Sequence, residues 1–150
     1  MQIATARPFG RRAEFWAAMA LGPVVWGIVW LWQGGGDLSW PLRAPGRYIL
    51  LSVVYPLLEE IVFRGGLQGA FTARVWGRSQ WGPVTAANLM TSILFACAHV
   101  VTRGDVTALA VFFPSLIFGY FRDRDNTWIS AAILHGWYNM GYLLLFYATK

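Results

Sequence analysis

Charge is what this 150-residue sequence has least of. Only 13% of its residues are charged, against about 25% in an ordinary soluble domain. So little charge cannot cover a water-soluble surface, which excludes a soluble enzyme as the starting expectation. The 57% hydrophobic content excludes intrinsic disorder as well, because disorder needs low hydrophobicity and high charge. Cysteine is nearly absent too. With Cys97 alone, neither an intrachain disulfide nor a cysteine-based zinc site can form. In its apolar run Cys97 reads as a small packed residue. Acidic residues number 7 against 12 Lys and Arg, a net charge of +5. The basic residues lie scattered between apolar runs, with no patch and no aromatic interleaving, so no nucleic-acid partner is expected. They flank the runs instead, as positive charge flanks membrane spans.

Apolar length, by contrast, is plentiful. A membrane helix takes about 20 apolar residues. The runs predict an all-α, polytopic transmembrane helical bundle of about five spans in a single domain, 1–150. Their approximate bounds are 15–32, 47–71, 83–101, 106–121 and 127–148. Strands are not expected, because the runs are continuous rather than alternating. The first run follows Arg7, Arg11 and Arg12 as a signal core would, but it is longer, and no small-x-small cleavage site follows. It reads as a retained span. Gln33 to Asp37 forms a glycine loop after it, and Arg122 to Asn126 the loop before the last span. With Arg64 set aside and the N-terminus inside, inner segments hold 7 Lys or Arg and outer segments 4. That bias puts the N-terminus in the cytoplasm. Trp26, Trp30, Trp76, Trp81 and Trp128 sit near span ends and read as interfacial anchors.

Ionisable residues inside spans are expensive and are functional candidates by default. They fall into three clusters: Glu59-Glu60 with Arg64, Phe95 with His99, and His135 with Asn139. Together these hold both histidines and two of the three glutamates. Glu60 and Arg64 are four apart, share a helix face and can pair, which a carboxylate in apolar surroundings needs. Glu59 points about 100° away from Glu60 and need not be neutralised by the same arginine. His135 and Asn139 present two polar tips on one face, and Phe95 can buttress the ring of His99 one turn on. Spans two and three turn near Gly77–Gly82, and residue 79 is the midpoint of Glu59 and His99. Both therefore lie roughly 25–30 Å from that turn and at similar depth. Pro56 can loosen the backbone beside Glu59.

These groups suit water activation. Glu59 can act as general base with His99 orienting or sharing the proton of the same water. His135 and Asn139 are donors for a tetrahedral oxyanion. No cofactor is expected. A zinc site of two His and one Glu is the disfavoured rival, since the H-E-x-x-H motif is missing and Asn139 is a poor zinc ligand. Blander readings exist for each cluster. An i,i+4 Glu–Arg pair is often glue, a lone membrane histidine often bonds a neighbouring helix, and Gly65 to Gly69 fits a small-residue packing face. Asn88, Thr91 and Ser92 read as interhelical hydrogen bonders. A channel is disfavoured because the ionisable groups cluster instead of lining a path.

The ordered set E-E-x-x-x-R, F-x-x-x-H and H-x-x-x-N, here Glu59-Glu60…Arg64, Phe95…His99 and His135…Asn139, resembles the CAAX protease and bacteriocin-processing (CPBP, or Abi) family of glutamate-dependent intramembrane endopeptidases. The resemblance covers about residues 47–148. It implies that Glu59 activates water with His99, that His135 and Asn139 stabilise the oxyanion, and that Glu60 and Arg64 support the site or position substrate. It implies a membrane-anchored protein substrate cleaved near its C-terminus, within a prokaryotic inner (plasma) membrane. The alternative within the same fold is a non-catalytic immunity or scaffold protein. Compared with typical members the sequence is short and lacks several N-terminal helices. That turns the expectation toward the myxosortase-like type, which removes C-terminal anchors.

Overall fold

Helix covers most of the described residues, 12–147, in the structure, a computed structural model. Helix α1 (Ala13–Gln33) ends at Gly34, whose φ of 77° stops the helix. Two short helices follow, α2 (Trp40–Arg43) and α3 (Pro45–Ile49). The chain then continues as helix through a π segment Leu50–Val54, α4 (Tyr55–Glu60), a second π segment Ile61–Gln68 and α5 (Gly69–Thr72). A hairpin of β1 (Gln80–Trp81) and β2 (Val84–Thr85) turns it into α6 (Ala86–Arg103). A 3-10 stretch Val106–Val111 leads into α7 (Phe112–Asp125), and α8 (Ile129–Phe146) completes the described chain. The all-α class is as expected.

Several local expectations are corrected. The hairpin is a strand pair where none was expected, because Gly82 at φ 59° supplies a tight turn. Arg122 to Asp125 is not loop but the last turn of α7, where basic residues complement the helix dipole and Asn126 in the left-handed region stops the helix. Cys97 is exposed, not packed, because it sits on the outer face of α6. Thr91 is wholly buried and makes no hydrogen bond, so it is not an interhelical bonder. Trp26 packs on Trp137 at 5.2 Å between ring centroids, and Trp128 packs on Gly65. These two indoles fill helix contacts, whereas Trp30, Trp76 and Trp81 are exposed.

The polarity of the molecule runs outward from wet to dry. Glu60, Arg64, Gln68, Asn88, Ser115 and Ser130 are fully buried, while Val62, Leu31 and Phe113 are 60%, 87% and 71% exposed. A water-soluble fold does the opposite. Apolar sides facing out with polar groups bonded within are what a hydrocarbon surround demands. Two helical stretches, Ala13–Gln33 and Val106–Asp125, are long and apolar enough to cross a membrane.

Helix contacts rest on small residues and polar bonds. A Cβ on Gly119 would lie 1.8 Å from Asn88 Oδ1, so only glycine fits where α7 crosses α6. Asn88 Nδ2 donates to the Leu116 carbonyl at 3.0 Å in the same crossing. The α1–α8 contact is tied by Trp137 Nε1 to the Met19 carbonyl at 2.9 Å and by the Tyr138 hydroxyl to the Ala18 carbonyl at 2.7 Å. Phe15, Phe118, Phe121, Ala131 and Leu134 form the apolar core among α1, α7 and α8.

Candidate active site

One stripe of the second long helix faces inward: Ser52, Pro56, Glu60, Arg64 and Gln68 are all buried. Their spacing is four throughout. In a straight α-helix each step of four overshoots one turn by about 40°, so Ser52 and Gln68 would diverge by roughly 160°. The π segments on both sides of α4 have wider turns and take up that drift. The period-four polar pattern and the π geometry therefore explain each other. Glu59 sits beside the stripe at its edge, with 32% of its side chain exposed.

Arg64 is the hub of the buried stripe. Its Nε donates to Glu60 Oε2 at 3.1 Å, as the spacing predicts. A second nitrogen donates to Gln68 Oε1 at 3.1 Å, and the third to the Ser115 carbonyl at 3.0 Å and the Ser115 hydroxyl. The guanidinium also lies 5.8 Å from the centre of the Phe95 ring. The other oxygen of Glu60 lies 2.9 Å from His135 Nδ1. The carboxylate of Glu60 accepts in that contact, so Nδ1 is the donor and carries the proton. The other ring nitrogen, Nε2, faces Glu59 Oε2 3.6 Å away.

The rings set the orientation. Phe118 of α7 stacks on His135 at 4.9 Å and 19°. Phe95 stands edge-on to His135 at 5.7 Å and touches the His99 ring at 4.4 Å, so it buttresses both imidazoles. His99 Nδ1 is 3.0 Å from the Phe95 carbonyl, which can only accept; the proton is on Nδ1 and the half-buried Nε2 is left to meet water. Among the described residues, Glu59 and His99 are not hydrogen-bonded to each other; the closest basic nitrogen to Glu59 is that of His135.

Asn139 is placed by proline chemistry. The Tyr55 N–H donates five residues back, to the Leu50 carbonyl. Pro56, next in that register, has no N–H. The Leu51 carbonyl it would have bonded instead accepts from Asn139 Nδ2 at 3.3 Å. One amide hydrogen of Asn139 is thus spent on the backbone and one is left over. Gly136, one residue after His135, lets α8 approach this same segment, since a Cβ added there would lie 3.2 Å from the Ser52 carbonyl.

The structure therefore brings Glu59, Glu60, Arg64, Phe95, His99 and His135 together from α4, the second π segment, α6 and α8, while Asn139, one turn after His135, lies against the Leu51 carbonyl. Sequence reasoning missed Gln68, Ser115 and Phe118. Gln68 continues the four-residue spacing after Arg64 and was findable; Ser115 and Phe118 lie on a helix with no motif and were not. Among the described residues no three His, Cys, Asp or Glu side chains group as a metal site.

The family model described as type II CAAX prenyl endopeptidase Rce1-like matches residues 41–141, the stretch that carries all three clusters. No curated protein and no solved structure matches the chain. With two thirds of the chain inside one family match, and with polar groups buried beneath an apolar exterior, this chain belongs to the Rce1-like type II CAAX prenyl endopeptidase family, a family of membrane-integral proteases.

Proposed function

We propose that the protein is an intramembrane endopeptidase that hydrolyses a peptide bond near the C-terminus of a membrane-anchored protein, using water activated by Glu59 and His99. The observation that carries this reading is the facing pair: a part-exposed Glu59 3.6 Å from a His135 whose other nitrogen meets buried Glu60. In the proposed reaction Glu59 takes a proton from water while the water oxygen bonds to the substrate carbonyl carbon. His99 Nε2 orients that water. The carbonyl electrons move to oxygen, and the oxyanion accepts from His135 Nε2–H and from the unspent amide hydrogen of Asn139. Collapse restores the carbonyl, breaks the C–N bond, and passes the proton from Glu59 to the leaving amine.

No metal or other cofactor takes part in this scheme. Glu60 is already engaged by Arg64 and His135, which supports water activation without zinc. Cleavage of a lipidated C-terminal peptide by the purified protein in proteoliposomes is therefore expected to continue at an unchanged rate in excess 1,10-phenanthroline. Loss of activity with restoration by zinc would reverse that conclusion. Substrates of the anchor-removing, myxosortase-like type remain the favoured class. They are sought by comparing protein C-termini in membranes from cells with and without the active protein.

The proposed setting is a prokaryotic plasma membrane, crossed about five times by one domain, with the N-terminus and the segment 74–80 before the hairpin cytoplasmic. A single cysteine placed at Arg78 in a Cys97→Ser background is expected to resist a membrane-impermeant thiol reagent until the cytoplasmic face is opened. Labelling from the outer face would invert the topology.

A further inference from the structure

The relay behind Glu59 does not end at Arg64. A buried guanidinium has five N–H donors to satisfy, and only one of its partners here, Glu60, carries charge. The other partners are neutral and come from two directions. Gln68 offers its amide oxygen to Arg64 at 3.1 Å and spends its amide nitrogen on the Gly119 carbonyl at 3.0 Å. Ser115, one turn before Gly119 on α7, offers both its carbonyl and its hydroxyl. Gln68 and Ser115 are wholly buried, and neither belongs to the three motifs.

Resting on the reading of Glu59 and His135 given above, we propose that Gln68 and Ser115 are positioning residues that hold Arg64 on Glu60 and so fix the Glu60 contact to His135 Nδ1 that turns Nε2 toward Glu59. The chemistry requires these residue types. A carboxylate at position 68 would compete with Glu60 for the only buried cation in the stripe. An apolar side chain there would leave an Arg64 N–H unpaired and Arg64 free to tilt. Only a neutral amide satisfies a donor on one side and an acceptor on the other without taking charge from Glu60. Ser115 closes the arrangement from α7, the helix that also supplies Phe118 against the His135 ring. One face of α7 thus sets both the proton position and the ring plane of His135.

The chain has two histidines, so the imidazole nitrogens can be read directly by nitrogen-15 NMR in nanodiscs, with His99→Gln leaving His135 alone. The wild type is expected to show a protonated, hydrogen-bonded Nδ1. Gln68→Glu and Gln68→Met are expected to move that signal and to lower kcat on a lipidated C-terminal peptide by roughly 10–100-fold, with KM nearly unchanged, the loss expected for a hydrogen bond to a charged group. Ser115→Ala is expected to have a smaller effect of the same kind, and Ser115→Thr to restore it. Wild-type kcat in both Gln68 variants would overturn the proposal. So would a lower kcat with an unchanged His135 spectrum, since that marks a packing role. If neither Gln68 variant folds, the Ser115 pair decides by the same two readouts. The NMR arm needs no turnover, so a wild type without proteolysis would sink the protease reading and leave the positioning one to its spectrum.

Discussion

Glu59→Gln is expected to lower peptide hydrolysis by about 10³-fold while leaving the helical bundle intact. Glutamine keeps the shape and the polar tip but cannot take a proton from water. Little stability rests on the lost charge. Glu59 is part-exposed, and its one ion pair, to His135, spans 3.6 Å, beyond hydrogen-bond range. The change in unfolding free energy is therefore expected within about 1 kcal/mol. Initial rates in proteoliposomes and the thermal midpoint in detergent measure the two halves. Activity within threefold of wild type would remove Glu59 from the mechanism. A collapse in thermal midpoint would instead make it structural, which its position at the edge of the stripe opposes.

Arg64→Met should do the reverse and unfold the protein before it tests the chemistry. Glu60 and Arg64 both have side chains with no exposed surface. Removing the cation leaves a buried carboxylate with the His135 ring nitrogen at 2.9 Å but no arginine beside it. Breaking a buried pair on one side costs about 3–5 kcal/mol, far more than the pair contributes when intact. The double variant Glu60→Gln with Arg64→Met no longer buries an unpaired charge and is expected to regain much of the loss, yet stay inactive because His135 has lost its carboxylate. Denaturant unfolding in detergent checks the ordering. If the single variant were as stable as the double, the penalty would not come from a stranded Glu60.

A good part of this site was legible from spacing alone. The i,i+4 separation of Glu60 and Arg64 dictated their ion pair, and the same separation of Phe95 and His99 dictated the ring contact, because both are local consequences of helical pitch. What spacing left open was the neighbour of Glu59, whose nearest basic nitrogen belongs to His135, 76 residues away in sequence. No spacing rule reaches across that distance. Asn139 was readable as a polar tip, but its tie to the Leu51 carbonyl depends on the backbone register that the π segment and Pro56 create together.

Composition determined the solvent. So few charges and so much apolar length require a bilayer, and the exceptions to that rule marked the polar clusters in order. Whether those clusters would meet was decided only in three dimensions. A helix of constant pitch would have rotated Gln68 away from Ser52, and the alternation of π and α turns instead keeps the whole stripe on one face. Likewise α7, which carries no motif, supplies Ser115 and Phe118 by packing across Gly119. The physical reason is one of range. Hydropathy and pitch act within a few turns of chain and can be read along it, whereas the partner of a buried charge is chosen by which helices pack together.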